Sequence, residues 1–502
     1  MTIPAYDIAV IGGGINGCGV ARDAAGRGFT VCLVEQNDLA GATSSASTKL
    51  IHGGLRYLEG YHFGLVAHAL KERAVLSRIA PHLTRPLRFV LPHHKGLRPR
   101  WMLRLGLFLY DRLGGASTFP GSKSVALDRD AAGLALKPAF RHAFEYSDCQ
   151  VDDSRLTVLN AVDARALGAH VMTRTRCIAA ERVRGIWSLT LEGHSGVRST
   201  VSSRTLVNAA GPWVDQFLSE AARVGVTVRA RLDKGSHIVV PKLFDHDRAY
   251  LFQNKDARVV FAIPYLTDYT LIGTTEKDYP GDPSMVAANE EEIAYLISAV
   301  NEYLRNPVRR EDIVWSFSGV RTLHDDGAVQ AQQATRDFVF AVDAPKSAAP
   351  LVTIYGGKLT TYRLCAEAVL ARLGPYLGAK PSWTSRVVLP GGDMERGMDG
   401  LKADLRWLFP FLETRHLDRL ASAYGTRAFE ILGKAKALNE LGRNFGADLF
   451  EAEVRYLVEE EWAMTADDIL WRRSKLGLKF TPGEKDALQR WLEEAGAGRV
   501  RA

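Results

Sequence analysis

The residues best placed to do chemistry come early in the chain. Gly12, Gly14 and Gly17 form a G-x-G-x-x-G between an apolar, β-prone run, Tyr6 to Ile11, and a small-residue helical pattern, Cys18 to Arg27. Gly28 breaks that pattern, and a second apolar run, Thr30 to Val34, ends at Glu35, 18 residues beyond Gly17. This spacing suits a pyrophosphate. Gly12 allows a tight turn off the strand, Gly14 has no Cβ to hold a phosphate away from the backbone, and Gly17 lets helix and strand pack closely. The helix N-terminus turns free N–H groups and a positive dipole end toward the phosphates. Glu35 is placed to accept hydrogen bonds from a ribose. The pattern predicts a dinucleotide site without separating NAD from FAD.

A second stretch follows directly. Thr43, Ser44, Ser45, Ser47 and Thr48 lead to Lys49, then to Gly53-Gly54 and Arg56-Tyr57. Alone this reads as a polar surface loop. Beside a dinucleotide fold, hydroxyls, a cation and two glycines make a cradle for an anion and a ring edge.

These groups need a scaffold, and 502 residues suffice for two or three domains with a sizeable core. Hydrophobic content of 46% and charged content of 24% are ordinary for a globular protein. Five scattered cysteines without a C-x-x-C suit a reducing compartment and argue against a disulfide framework or a zinc ribbon. There is no H-E-x-x-H and no P-loop, so no metal site is expected. No signal peptide is evident, and no run approaches the ~18 apolar residues of a spanning helix. The expectation is a cytoplasmic protein, or one attached to the cytoplasmic face of a membrane.

The net charge of +7 is local. From Lys71 to Arg112, ten Lys and Arg stand against Glu72 and Asp111, a balance of +8, which leaves about −1 for the rest. Within that segment, Trp101 to Leu113 (WMLRLGLFLYDRL) is too short and too charged to span a bilayer. It reads either as an amphipathic anchor on anionic lipid, with residues 85–113 as the contact, or as a core helix with a solvated basic end. Short β runs occupy Val171 to Val201, Val226 to Val240, Val259 to Pro264 and Tyr269 to Thr275. Helical periodicity marks Leu65 to Ile79, Glu290 to Tyr303 and Thr361 to Leu373. Residues 375–393, rich in Pro and Gly, read as a boundary. Beyond it, amphipathic helices are expected at Leu401 to Leu408, Arg415 to Tyr424, Ala428 to Leu432, Ala447 to Glu461, Ala466 to Leu476 and Pro482 to Ala495. They carry no phosphate loop or metal spacing and suit a helical cap or subunit contact.

Several motifs occur in order: GGGINGCGVARDAAGRG with Ala42 to Glu59, FEYSDCQVDDSRL (Phe144 to Leu156), VNAAGPWVD (Val207 to Asp215), KGSHIVVP (Lys234 to Pro241), IGTTEKDYPGDP (Ile272 to Pro283), SGVRTL (Ser318 to Leu323), TRDF (Thr335 to Phe338) and GGKLTTYR (Gly356 to Arg363). Together they resemble the FAD-dependent, membrane-associated glycerol-3-phosphate dehydrogenases of the aerobic respiratory type, along nearly the whole chain. The resemblance favours FAD over NAD. It implies an α/β fold: a Rossmann-like FAD-binding domain (about 1–80, 150–225 and 340–380) interleaved with a β-rich substrate domain of D-amino-acid-oxidase type (about 81–149 and 226–339), then a helical domain over 385–502.

The resemblance also implies oxidation of sn-glycerol 3-phosphate to dihydroxyacetone phosphate by hydride transfer to FAD, with electrons passed to a membrane quinone at the inner face of the cell membrane. Six residues in matching motifs would line the substrate pocket. Arg56, Arg336 and Lys358 would hold the phosphate, with Tyr57 as hydrogen-bond partner. His237 would be the base and Arg321 would stabilise the developing oxyanion. FAD contacts would come from Gly12, Gly14, Ile15, Asn16, Gly17, Glu35, Thr43, Ser44, Ser45, Lys49, Leu50, Gly211, Gly357, Leu359 and Thr360. Thr322 departs from the pattern, standing where relatives often carry Pro. A homo-oligomer is expected and no nucleic-acid partner. The rival readings are a soluble oxidase that passes electrons to oxygen, a non-catalytic flavoprotein that binds membranes or RNA, and an amine oxidase. The dense set of cations suits a phosphate better than an amino acid.

Overall fold

The structure is a computed structural model that describes residues 5–58, 60–115, 119–225, 228–256, 258–325, 337–346 and 348–496, with only the backbone for Ala5 and Arg56. Two large sheets share the first 360 residues. The first runs Val339–Asp343, Leu351–Tyr355, Arg198–Asn208, Ala5–Ile11, Val31–Val34, His170–Met172, and Ile186–Gly193 and Thr175–Val183 extend it off Arg198–Asn208. Its centre is parallel: Ile11 is in register with both Val34 and Asn208. Parallel strands need covered faces, and their residues are apolar and buried. Helices Ile15–Gly26, Asp153–Ala166 and Tyr362–Leu377 cover one face around Val10, Val20, Val158 and Val369.

The second sheet is mostly antiparallel and runs Lys277–Asp278, Ala230–Pro241, Tyr269–Gly273, Val259–Tyr265, Ala249–Gln253, Thr84–Pro92, His142–Val151, Leu50–Ile51, with Trp315–His324 on the far side of Ala230–Pro241. Its register sets the site. Asp233 stands opposite Arg321, Gly235 opposite Gly319, and His237 between Phe317 and Gly273. The interleaving differs in detail from the expected ranges, because Leu50–Ile51, directly after the cradle, already belongs to the second sheet.

Residues beyond 385 build a separate core on Leu401, Leu405, Leu420, Tyr424, Leu457 and Leu488. Helices Thr414–Tyr424, Ala428–Leu432 and Pro482–Glu494 fall close to expectation. Helix Gly397–Leu408 starts four residues before the expected Leu401, and the helix expected over Ala466 to Leu476 stops with the turn Asp468–Arg473, because Lys475 at φ +61° breaks the chain direction before Leu476. Two further boundaries move. The helix expected from Ala447 starts at Glu451, because Asn444–Gly446 and Leu449–Phe450 pair as a short ribbon that turns at Ala447. The helix expected to stop at Leu373 continues to Leu377, with Pro375 removing one backbone hydrogen bond near its end. Helix Arg100–Leu113 turns Trp101, Leu105, Phe108 and Leu109 outward, while Leu107 and Tyr110 are buried. Among the described residues, no helix is long and apolar enough to cross a membrane.

Candidate functional site

Two cavities meet at the glycine turn. One, of about 330 Å³, is bounded by Gly12, Glu35, Arg176, Trp213 and Glu220; the other, of about 560 Å³, runs from Ile15 and Asn16 to Lys358 and Arg321. Gly14, Thr43, Ser44 and Gly211 border both. A dinucleotide laid across this junction would place its nucleoside end in the smaller cavity and its reactive ring in the larger.

The residues fit FAD. Gly12 has φ +110°, and a Cβ there would lie 2.4 Å from the Ala209 carbonyl oxygen, so only glycine serves. At Gly14 a Cβ would meet only the Ser44 hydroxyl, at 3.2 Å, so its open side faces the cavity. Gly17 lines neither cavity; a Cβ there would strike the Gly12 carbonyl, which fits its packing role. Glu35 accepts from the Gly13 N–H at 2.6 Å and the Asn37 N–H at 2.7 Å. Burial nonetheless pushes its carboxyl above the usual range. Asn16 donates to the Gly356 carbonyl at 3.3 Å, and its buried Oδ1 has no partner among the described residues. That orphaned acceptor beside the helix N-terminus awaits a donor from a ligand. Leu50, Gly357, Leu359 and Thr360, expected as FAD contacts, line the larger cavity.

Two cradle residues do not face the cofactor. Ser45 lines neither cavity; its hydroxyl donates to the Ala42 carbonyl. The Lys49 side chain turns away and is buried, its ammonium 2.9 Å from both oxygens of Asp153 and 2.8 Å from the Ser45 carbonyl. Composition marked a cation in the loop, but which wall it serves depends on Asp153, more than a hundred residues away in sequence.

The substrate end of the larger cavity brings together Tyr57, Arg321 and Lys358. Lys358 sits in the turn after strand Leu351–Tyr355 and holds its ammonium 4.0 Å from the centre of the Tyr57 ring. Arg321 bonds Asp233 at 2.8 Å across the sheet pair, and its far edge passes over Gly235, where a Cβ would lie 2.9 Å from Nη2. The Arg56 side chain and the whole of Arg336 lie outside the described residues.

His237 is not on the cavity wall. It is 1% exposed, stacks on Phe317 at 4.9 Å, and meets the Thr48 hydroxyl through Nε2 at 3.0 Å. Burial, then the charges of Arg321 and Lys49, push its pKa down to about 3. It is a neutral imidazole behind Thr48, and Thr48 is what faces the cavity. A motif match identifies His237 as near the site, but strand register decides which way it points. His52 is not among the site residues that the motifs imply. It is the histidine that lines the cavity among the described residues; its backbone N–H donates to the Thr360 hydroxyl at 3.4 Å and its ring lies edge-on to Phe261. The signal was available: a histidine between an apolar strand and Gly53-Gly54, inside the cradle motif.

Residues 7–363 match the family of FAD dependent oxidoreductases, and residues 382–497 match the C-terminal domain of alpha-glycerophosphate oxidase. A glycerol-3-phosphate dehydrogenase of Pseudomonas aeruginosa is 49% identical over 99% of this chain and 96% of its own length. A D-erythritol 1-phosphate dehydrogenase of Brucella abortus is 48% identical over 97% of this chain and 98% of its own. The solved structure of the glycerol-3-phosphate dehydrogenase from Bacillus halodurans complexed with FAD superposes with a TM-score of 0.74 at 27% identity, covering 98% of this chain and 94% of that one. The chain belongs to the FAD-dependent oxidoreductases, in the branch of the glycerol-3-phosphate dehydrogenases.

Proposed function

We propose that this enzyme oxidises sn-glycerol 3-phosphate to dihydroxyacetone phosphate and delivers the electrons to a membrane quinone. The observation that carries the reading is the meeting of Lys358, Tyr57 and Arg321 in the cavity that begins at the glycine turn. Lys358 holds the phosphate with Tyr57 beside it, joined by Arg56 and Arg336 as the sequence implies. Arg321, its guanidinium fixed by Asp233, supports the oxygen that gathers negative charge as the secondary alcohol becomes a ketone. His52 accepts the hydroxyl proton, and His237 orients Thr48 from behind. FAD, when bound, supplies the hydride acceptor.

Two features support the quinone. Trp101, Leu105, Phe108 and Leu109 are all exposed on one face of helix Arg100–Leu113, next to exposed Arg98 and Arg100. Leu105 and Leu109, with Tyr61, also border the larger cavity, so its apolar end opens beneath that face. Such a face suits anionic lipid at the inner side of the cell membrane, where each basic residue contributes about 1 kcal/mol. The rival acceptor is oxygen, and the relative from Brucella abortus makes D-erythritol 1-phosphate a rival substrate. An anaerobic titration separates all three. Glycerol 3-phosphate should bleach the flavin band faster than D-erythritol 1-phosphate does, and a quinone analogue should restore the colour faster than air. Recovery mainly by air, with peroxide, would favour the oxidase. Faster bleaching by erythritol phosphate would move the substrate.

A further inference from the structure

The C-terminal domain reaches the flavin cradle by two independent routes, both starting in the turn formed by Asp468–Arg473 and the two residues after it. The first route is ionic. Lys475 is 8% exposed; its ammonium donates to the Ser154 hydroxyl at 2.6 Å and lies 3.6 Å from Asp153 and 3.5 Å from Asp152. Asp153 is wholly buried and accepts from the Lys49 ammonium at 2.9 Å and the Ser47 hydroxyl at 2.7 Å. One carboxylate thus ties a lysine of the C-terminal domain to two residues of the cradle, and through Lys49 to the carbonyl of a third, Ser45.

The second route is aromatic. Trp471 stacks on Trp315 at 4.5 Å, Trp315 leans on Phe317 at 4.7 Å, and Phe317 stacks on His237 at 4.9 Å. His237 meets the Thr48 hydroxyl at 3.0 Å. The ladder therefore ends on the same loop, one residue from Lys49.

That loop has little of its own to hold it. Its single 3-10 turn, Thr43–Ser45, has no side-chain cap, and Lys49 sits at φ +60°. Segments with few regular backbone bonds open locally at small cost unless neighbours hold them. Yet Thr43, Ser44, Thr48 and Leu50 of this loop border the cavities.

The structure assigns the turn Asp468–Lys475 as a positioning element of the FAD site: Lys475 acting through Asp153, and Trp471 acting through Trp315 and Phe317, hold the cradle loop in its cofactor-binding conformation. This goes beyond the proposed reaction and does not depend on it, because it concerns FAD binding without substrate.

The test uses the full-length chain, stripped of FAD and titrated with FAD by fluorescence, with Tm measured in both states. Lys475→Met and Trp471→Leu should each weaken FAD binding by roughly 10-fold. Each should also narrow the gap in Tm between the FAD-bound and stripped protein. Lys475→Arg should recover most of the affinity. Arg455→Gln, which removes an exposed pair with Glu451 in the same domain, should leave both quantities at wild type. Variants that lower Tm equally in both states, with wild-type FAD affinity, would overturn the assignment and reduce the turn to a strut. If Lys475→Met does not fold, Trp471→Leu decides by the same two readouts.

Discussion

The front and back walls of the cradle use the same two residue types to opposite ends. On the cavity side stand His52 and Lys358, both half-buried and both bordering the space a substrate would fill. Behind the loop stand His237 and Lys49, both almost without exposure. Lys49 is pinned between Asp153 and a carbonyl, and burial pulls its ammonium below the usual lysine range against the opposing effect of Asp153. His237 is stacked and neutral. A charge that will meet a ligand must keep a side open to the cavity, whereas one buried behind must be neutralised in place or cost several kcal/mol. The front wall borders the cavity, and the back wall holds the loop in front of it.

The sharpest way to break that contrast is to exchange the histidines' importance. His52→Asn should lower kcat about 100- to 10,000-fold, the usual range for a general base. His237→Asn should lower it less than about 10-fold, as expected for a residue acting through Thr48. Steady-state kinetics on both variants decide it, and the reverse order would return the base to His237. A pH profile adds a second check. His237→Asn should leave the pH profile unchanged, because a group with a pKa of about 3 does not titrate in the working range.

Lys358→Met comes next. Losing a charge-assisted bond to a phosphate is worth ~1.5–3 kcal/mol, so kcat/KM should fall roughly 10- to 100-fold. The loss should fall mainly on KM, since the phosphate is held equally before and during reaction. A fall confined to kcat would place Lys358 at the reacting carbon instead.

These pairs also show what a sequence can and cannot say. The glycine turn, Glu35 and the parallel strands beside them were legible, because each rests on local sterics acting over some thirty residues. Tyr57, Arg321 and Lys358 were legible through their motifs. The facing of Lys49 and His237 was not: one depends on Asp153 and the other on register with Phe317 and Gly273. The ribbon at Asn444–Phe450 was hidden for a related reason, since a two-strand pairing this short leaves no periodicity. Lys475 and Trp471 gave no sign at all, because their partners lie in other domains.

The back wall has a cost that appears with acid. The folded pKa of His237, about 3, lies below its unfolded value, so the unfolded chain binds the extra proton first. Its contribution is intact above the unfolded pKa of ~6.5 and is lost at about 1.4 kcal/mol for each pH unit below that. His82, buried with a pKa also about 3, acts in the same direction. His237→Gln should therefore flatten the fall in Tm between about pH 6.5 and pH 5, measured without substrate. An unchanged slope would mean that the imidazole finds a proton acceptor in the folded state.

The same contrast between an open and a covered face separates two helices of similar length, and here the expected change in turnover is smallest. Helix Gly397–Leu408 buries Leu401 and Leu405 in the C-terminal core and, of its large apolar residues, leaves Trp407 and Leu408 exposed at its end. Helix Arg100–Leu113 instead exposes Trp101, Leu105, Phe108 and Leu109 together, beside a cluster of arginines. One exposed tryptophan is ordinary, but a stripe of four large apolar groups on one face is a surface that expects contact. Trp101→Ser with Phe108→Ser should weaken sedimentation with phosphatidylglycerol vesicles by at least about 10-fold, because each ring gives up roughly 1.5–3 kcal/mol of burial. Turnover with a soluble acceptor should not change. Trp407→Ser should leave vesicle binding at wild type. Equal losses from both helices would mean that exposed aromatics alone govern the binding, and the basic helix would lose its claim to be the membrane face. Loss from the first alone, with wild-type binding itself weakened by high salt, would assign the contact to arginines and apolar groups acting together.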